Sequence, residues 1–418
     1  MQKKYPDSAE QKNRPDIVAE FMSRYRKEYD FYEQACRIAA QLLDASLQSA
    51  GVRAIVTSRA KNLSRLEEKV RQRALSKVYK SVNEIYEDIV DLAGIRVALY
   101  FPAERDATGR IISSLFDMLE NPREFPDSTK PQPSSYKKRF SGYWATHYRA
   151  RIRDEHLNES QKRYLDARFE IQVASVLMHA WSEVEHDLIY KPLQGPLWEE
   201  EYSILDELNG LVLTGEIALE RLQRAGEIRV SHNRVYSNHY DLASSLLELV
   251  REQQDIPELH DALIGRVDLL FKLLQRLELN TPEHVSEYVK RLWIKFETNP
   301  IAEQVINWVL AEDPKRYAVF NAIQVEDGTV TQSQLQDEKL TTAIGEFVVK
   351  YAEFEQQIRT YVMKKEAISV PTDFVDIVTR MREFRSNIVH KGLTADLQTV
   401  TRHQQELQGL IDYFSRGK

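Results

Sequence analysis

The chain has 418 residues, 42% of them hydrophobic and 29% charged, with a net charge of −7 at pH 7. This is the composition of a soluble globular protein with room for two or three domains, and the negative charge argues against a surface that coats nucleic acid throughout. No apolar run reaches the about 18 residues of a membrane-spanning helix, and the start is polar, so we expect a cytoplasmic protein without membrane contact. The single cysteine, Cys36, excludes internal disulfides and cysteine-based zinc sites, and its apolar helical neighbours indicate a core thiol.

The first half of the chain changes from helical to strand-like patterns. Apolar residues recur at helical spacing from Ile17 to Leu47, and helix is predicted again from Leu63 to Val78. Apolar runs and period-two alternation then predict strands at Ile89 to Phe101, Tyr143 to Ile152 and Arg168 to Val173, with a helix from Arg110 to Leu119. Four prolines between Asn121 and Ser135 predict a loop over the sheet edge.

After Pro196 the periodicity is helical. Predicted helices run over Leu205 to Leu222, Tyr240 to Gln253, Leu259 to Leu277, Val285 to Phe296, Ile301 to Leu310, Lys339 to Lys365 and Asp373 to Phe414. A polar break lies at Gln324 to Gln336. We therefore expect an α+β region at residues 1–223, a helical middle region at 224–324 and a helical C-terminal region at 335–418.

Two predicted strands carry carboxylates, Asp91 in the first and Glu170, followed by Gln172, in the third. Two strand-borne carboxylates are what a metal-assisted phosphoryl-transfer site needs. Two alternatives stay open: Asp91 as an acid capping a turn, and Glu170 as a solvent-facing residue of an edge strand.

Two basic clusters accompany these carboxylates. The first outnumbers its acidic neighbours and suits a polyphosphate, although a solvated helix face would look the same; it comprises Arg59, Lys61, Arg65, Lys69, Arg71 and Arg73. The second, Lys137 to Arg139, precedes a strand that sets Tyr143 and His147 on one face. This arrangement suits a base-stacking ring beside a phosphate donor, or else the covered side of the sheet. For Trp144 and Tyr148, on the other face, we expect the core.

A helix after the third strand places His179, Glu183 and His186 at positions i, i+4 and i+7. These residues are either a facial metal-binding set or polar groups that bond to neighbouring strands and loops. Glycine-rich phosphate loops are absent from the sequence, so side chains must hold any phosphate.

The order and spacing of these motifs resemble those of RelA/SpoT-type alarmone synthetases. The residues that carry the resemblance are Arg59-x-Lys61 with Lys69, Asp91-Leu-Ala-Gly-Ile-Arg96, Gly142-Tyr143-x-x-x-His147 and Glu170-Ile-Gln172. The resemblance covers about Ile17 to Leu222. It implies a nucleotidyltransferase-like α+β fold that moves pyrophosphate from ATP to a ribose 3'-hydroxyl with Mg²⁺.

The resemblance also implies a role for each matched residue. Asp91 and Glu170 would be the catalytic and metal-binding carboxylates. The ATP-binding residues would be Arg59 and Arg96, which sandwich adenine, and Lys61 and Lys69, which hold the phosphates. Tyr143 would stack on the acceptor base, and the other acceptor-binding residues would be His147, Gln172, Lys137, Lys138 and Arg139.

Three positions depart from the family pattern. Ala174 stands where an Arg is frequent, and Arg65 where a Ser is frequent. Ala145 replaces a common Ser, which brings this chain closer to the divergent small and toxin-like branches than to the long stress factors. Fewer than 60 residues precede Arg59, and no hydrolase-type metal-ligand set is recognisable, so we expect synthesis only.

Near the end, Arg385-Ser-Asn-Ile-Val-His390 resembles the Arg-x4-His signature of HEPN helical domains, some of which cut RNA. Either a nuclease site or a structural or partner-binding helical module fits this motif.

The leading hypothesis is a pyrophosphokinase that makes (p)ppGpp from ATP and GDP or GTP, with a helical C-terminal half that regulates it, binds a partner or forms homo-oligomers. A second hypothesis changes the acceptor to an adenosine nucleotide or the tRNA 3' end, with Arg149, Arg151 and Arg153 holding the RNA. A third is a non-catalytic RNA- or partner-binding scaffold.

Overall fold

The computed structural model describes residues 16–126, 139–140, 142–190, 197–231, 235–253, 264–293, 299–330, 337–364, 374–393 and 395–416. The chain divides into two compact units, Met1–Gln48 with Val52–Gln223, and Ser49–Gly51 with Arg224–Lys418. The first contains a mixed sheet with flanking helices and the second is helical, which confirms the predicted α+β class.

The first unit begins with a long helix and then alternates strands and helices. Its elements are α1 (Ile17–Ser49), β1 (Ala54–Ala60), α2 (Leu63–Ala74), α3 (Val82–Asp88), β2 (Ala93–Leu99), α4 (Arg105–Leu115), β3 (Phe116–Met118), β4 (Arg123–Phe125), β5 (Ala145–Ile152), β6 (Phe169–Ser175), α5 (Val176–Tyr190) and α6 (Glu199–Ser231). The last residues of α6, from Arg224 onward, belong to the second unit.

The sheet has the strand order β1-β2-β6-β5-β3, and β4 also pairs with β5. Among the strands that the structure describes, the β2–β6 pairing is parallel and the other pairings are antiparallel. The register sets Arg59 opposite Gly94, Arg96 opposite Gln172, and Arg149 opposite Glu170. Because side chains alternate along a strand, one face collects polar residues from β1, β2, β6 and β5.

Helix α1 supports the strand ends that carry these polar residues. Its Tyr25 is fully buried, and the phenol donates to the carbonyl oxygens of Lys61 (2.8 Å) and Leu92 (3.2 Å). The Cys36 thiol donates to the carbonyl oxygen of Gly94 at 3.0 Å, which agrees with the predicted core thiol. A buried aromatic and a buried thiol thus hold the backbone that directly follows Asp91.

Several predicted elements of this unit need correction. Strand β1 was missed, because only Ile55 and Val56 are strongly apolar and most of its residues are exposed at the sheet edge. The helix predicted from Leu63 to Val78 ends at Ala74. The helix predicted from Arg110 to Leu119 lies at Arg105–Leu115, and short β4 falls inside the predicted proline-rich loop.

The second unit consists of helices. They are α7 (His239–Gln253), α8 (Val267–Arg276), α9 (Pro282–Val289), α10 (Ile301–Ala311), α11 (Arg316–Glu326), α12 (Glu338–Lys364), α13 (Phe374–Val389) and α14 (Leu397–Arg416). The single helix predicted from Asp373 to Phe414 is two helices, because the chain turns at Gly392 with φ +63°. Helix α11 was not predicted. Within the described ranges no helix has the length and apolarity needed to span a membrane.

Candidate active site

A cleft of about 530 Å³ opens on the polar face of the sheet between β1, β2, β6 and α2. Predicted site residues that line it are Arg59, Lys61, Lys69, Asp91, Arg96, Glu170 and Gln172. The sequence spreads these residues over more than 110 positions, and the parallel β2–β6 pairing is what brings the two predicted carboxylates to one cleft.

Asp91 lies between two lysines at the base of the cleft. Lys69 Nζ is 2.9 Å from both carboxylate oxygens, and Lys61 Nζ contacts Oδ2. Burial opposes ionisation of Asp91, but the two ammonium groups outweigh it and lower its pKa to about 2. Burial lowers the pKa of Lys61 despite this partner. The lysine contacts of both carboxylate oxygens favour a site residue over the alternative of an acid that caps a turn.

Two arginines lie further up the cleft on neighbouring strands. Arg96 forms an ion pair with Glu183 of α5. Burial and the nearby Arg96 lower the pKa of Arg59, and Glu183 opposes this shift. Arg59 and Arg96 both line the cleft, and guanidinium groups can stack on the faces of a planar base.

Glu170 lies on a central strand, not on the edge strand that the alternative reading assumed, and it is 8% exposed. Gln172 Nε2 donates to its Oε1 at 2.8 Å, and His147 Nδ1 is 3.4 Å from the same oxygen. Burial raises the pKa of Glu170, but His147 and Gln172 outweigh burial, so the pKa is lowered. Glu170 is therefore a carboxylate at neutral pH, able to bind a cation or accept a proton.

Three rings cluster beside Glu170: His147 contacts the carboxylate, and Tyr143 and Phe125 contact His147. The Tyr143 hydroxyl is 3.5 Å from His147 Nε2, and the Phe125 ring is 4.5 Å from the His147 ring, centroid to centroid. The structure thus brings Tyr143 and His147 together as predicted. Of their neighbours, Tyr148 is buried as predicted, but Trp144 is 42% exposed, so the prediction of a core position for Trp144 is wrong.

Two further predictions concern residues beside the cleft. Lys137 and Lys138 lie outside the described residues, and Arg139 is exposed, with its backbone N–H bonded to Asp206.

In the possible metal set on α5, His179 Nε2 lies 3.1 Å from the carbonyl oxygen of Val97 and Glu183 pairs with Arg96. In the part of the chain described, no group of three or more His, Cys, Asp or Glu side chains could hold a metal. These contacts of His179 and Glu183 favour the alternative in which the helix bonds to neighbouring strands, and the His186 side chain lies outside the described part of the structure.

Sequence reasoning missed several residues of the cleft. Helix α2 and its N-cap contribute Asn62, Glu68 and Gln72, beside Lys69 and beside Arg65 of the predicted basic cluster. Their spacing of three and four residues puts them on one helix face, a signal that the sequence contains. The departure at Ala174 also has a physical account, because that residue packs against Met178 and Trp181, which fill the space a long side chain would need.

The Arg385 and His390 pair belongs to the second unit and is engaged within it. Arg385 is 3% exposed, bonds to Glu355 at 3.0 Å and stacks over the Tyr351 ring at 4.1 Å. His390 Nε2 donates to Asn307 Oδ1 at 2.9 Å. These contacts favour the structural role over a nuclease site.

Comparison with known proteins agrees with the motifs. Residues 58–194 match the family described as "Region found in RelA / SpoT proteins". This match confirms the predicted resemblance to RelA/SpoT proteins for that part of the chain. No curated protein matches the chain.

Similar solved structures include a GTP pyrophosphokinase family protein from Streptococcus pneumoniae, 19% identical, with a TM-score of 0.39 over 48% of this chain and 94% of that one. Small alarmone synthetase 1 from Bacillus subtilis is 19% identical, with a TM-score of 0.38 over 50% of this chain and 98% of that one. The same synthetase bound to its product pppGpp is 18% identical, with a TM-score of 0.35 over 50% of this chain and 96% of that one.

Proposed function

We propose that the cleft transfers the β,γ-pyrophosphate of ATP to the 3'-hydroxyl of GDP or GTP, which makes (p)ppGpp. The observation that carries this proposal is the joint presence of a paired-lysine carboxylate, an arginine pair and the ionised Glu170 in one cleft. The match of residues 58–194 supports the reaction class.

The residues divide naturally between the two parts of ATP. Arg59 and Arg96 suit the adenine, because guanidinium groups stack on aromatic rings. Lys61 and Lys69 suit the β- and γ-phosphates, since both ammonium groups already neutralise an anion at the base of the cleft.

On the acceptor side, Tyr143 would stack on the base and His147 would contact a phosphate or the ribose. The acceptor 3'-oxygen attacks the β-phosphorus, the bond from that phosphorus to the α,β-bridging oxygen breaks, and AMP leaves. Glu170 would accept the hydroxyl proton. Rate enhancement would come mainly from positioning and from neutralisation of charge.

The cleft also fits Mg²⁺. This ion binds proteins through one or two carboxylates and completes its shell with water and substrate phosphates, and Asp91 and Glu170 both line the cleft. Asp91 and Glu170 would hold the ion, which would supply neutralisation of phosphate charge.

The tRNA alternative has weaker support. Arg149 pairs with Glu120 at 2.9 Å, Arg151 with Asp166 at 3.8 Å, and Arg153 with Asp117 at 3.5 Å. An RNA backbone would have to compete with these carboxylates for the arginines.

Substitution of the two carboxylates tests the assignment. Asp91→Asn and Glu170→Gln preserve shape and remove a charge, so each should reduce pyrophosphate transfer by about 100-fold or more. Asp30→Asn and Glu33→Gln, at exposed positions of α1, are the matched controls and should transfer normally. Near-normal transfer by both cleft variants would refute the site.

A further inference from the structure

Helix α6 holds the short backbone segment that leads into Tyr143. We call this segment the strap; it comprises Arg139, Phe140 and Gly142. The Asp206 carboxylate accepts hydrogen bonds from the backbone N–H of Arg139 at 2.7 Å and of Phe140 at 3.2 Å. Asn209 accepts from the N–H of Gly142 at 3.1 Å and donates to its carbonyl oxygen at 3.4 Å. The strap is thus bonded at its beginning and at its end.

These two anchors are buried polar groups, with Asp206 5% exposed and Asn209 1% exposed. A buried carboxylate or amide without partners is strongly unfavourable. The strap amides are the partners that satisfy them, so release of the strap would leave both groups unpaired. This mutual dependence favours one fixed strap conformation.

A glycine on the same face of α6 completes the contact. Asp206, Asn209 and Gly210 are spaced i, i+3 and i+4, so they face the strap together. A Cβ at Gly210 would lie 2.5 Å from Cζ of the Phe140 ring. The absence of a side chain at this position is what lets the ring pack against the helix.

The strap fixes the position of the backbone from which the Tyr143 side chain projects. Gly142 has φ +81°, a conformation that favours glycine, and the next residue directs its ring toward His147, which in turn contacts Glu170. A displaced strap would move the Tyr143 ring relative to both residues. The ATP-side residues Arg59 and Lys69 lie on other elements.

We propose that Asp206, Asn209 and Gly210 are positioning residues for the acceptor nucleotide, which they serve by fixing the strap and hence Tyr143. The proposal rests on the proposed function. All three residues lie beyond residue 194, where the RelA/SpoT match ends, and none belongs to a motif of the sequence analysis.

The test uses the full-length chain and a pair of glycine substitutions in one helix. Gly210→Ala displaces the Phe140 ring, whereas at Gly226 no atom lies within 4 Å of an added Cβ. Gly210→Ala should raise the acceptor KM about 10-fold, which is the size expected for the loss of one well-placed contact. The KM for ATP should change less than about twofold. Gly226→Ala should leave both values unchanged.

Asp206 gives an independent, graded test. Asp206→Ala removes both acceptor oxygens, and Asp206→Asn keeps one, so the acceptor KM should rise more in the first variant than in the second. Amide hydrogen exchange at Phe140 and Gly142 should be faster in Asp206→Ala and in Gly210→Ala than in the wild type.

Each result decides the proposal. Equal increases in both KM values would show that α6 supports the whole sheet, and an unchanged acceptor KM would show that the strap does not position the acceptor; either overturns the inference. If the wild type transfers pyrophosphate to no acceptor, the proposed function fails, and the exchange rates alone then test the anchoring. Wild-type rates of amide hydrogen exchange in both Asp206→Ala and Gly210→Ala would overturn the anchoring of the strap by α6.

Discussion

At the scale of single residues, the ionised state of Asp91 depends on its contacts with Lys61 and Lys69. The residue was singled out because it is a carboxylate beside an apolar strand, and Lys61 and Lys69 because they belong to a basic cluster. Their mutual contact could not be deduced, since it depends on the antiparallel β1–β2 register and on the backbone bond from Lys61 N to Leu92 O. The sequence indicates the residue types of the site, but it does not show which of these residues contact each other in the folded chain.

Phe125 is a residue that sequence reasoning did not find. It lies in a segment rich in prolines, which indicated a loop, yet its ring packs against His147. Pairing of β4 with β5 creates this contact, and a strand of three residues has too little alternation to be recognised.

Tyr143→Ala should raise the acceptor KM strongly and leave ATP affinity nearly unchanged. Stacking of a base on an aromatic ring contributes about 1 to 3 kcal/mol, and Tyr143 is not among the residues that line the ATP-side cleft. Steady-state kinetics with each substrate varied in turn would measure this. Trp144→Ala, the exposed neighbour, is the control and should behave as the wild type. An equal loss of ATP binding in Tyr143→Ala would mean that this ring supports the sheet instead.

His390 should make the second unit less stable in acid. Burial, and secondarily Arg385, lower its pKa to about 3 from an ordinary value of 6.5. A group that is neutral in the folded state but protonated when unfolded binds more protons in the unfolded state, so stability falls as pH drops below about 6.5. The loss approaches about 1.4 kcal/mol per pH unit down to the folded-state pKa.

The comparison is between urea unfolding of the wild type and of His390→Asn at about pH 7 and about pH 5. The acid-induced loss should be smaller in the variant, which has no imidazole to protonate. The same loss in both proteins would contradict this assignment.

At the level of elements, long helices with a clear apolar stripe were predictable, and short edge strands were not. Helix α1 begins where the periodicity predicted and ends two residues later. Strand β1 was not predicted because its exposed residues form no apolar face, although this strand carries Arg59. The sequence left open an edge position for Glu170, and the sheet places it on a central strand, because strand order is a property of the whole sheet.

The N-terminus of α2 offers a test at this scale. The Asn62 side chain accepts hydrogen bonds from the N–H groups of Ser64 at 3.0 Å and of Arg65 at 3.4 Å, and this helix carries Lys69 to Asp91. Asn62→Ala should therefore destabilise the protein by about 1 kcal/mol, whereas Asn62→Ser should retain most of the cap. Urea unfolding of the two variants measures the difference. Equal stability of Asn62→Ala and the wild type would show that the cap contributes nothing.

For the whole molecule, every residue assigned to the transfer reaction lies in the first unit. The C-terminal region packs within the second, where Tyr317 donates to the carbonyl oxygen of Ile388 at 3.3 Å and Gln324 to that of Val389 at 2.8 Å. The separation of residues 224–324 from 335–418 as distinct regions stays a prediction, as does a regulatory or oligomerising role for either.

Removal of residues 335–418 should expose apolar surface of α10 and α11 and so reduce solubility or alter assembly, while soluble protein still transfers pyrophosphate. Kinetics and size-exclusion chromatography on the truncated chain would show this. A truncated protein that keeps its first unit folded, judged by hydrogen exchange of β2 and β6, but has lost transfer would show that the reaction needs the C-terminal region.

The most direct measurement incubates purified protein and Mg²⁺ with ATP labelled at its β-phosphate and, in parallel, GDP, GTP, AMP or tRNA. The account predicts that GDP or GTP gains the label at the 3'-position with equimolar release of AMP, and that Asp91→Asn abolishes both. Transfer of label only to AMP or tRNA, or to none of the four, would contradict it.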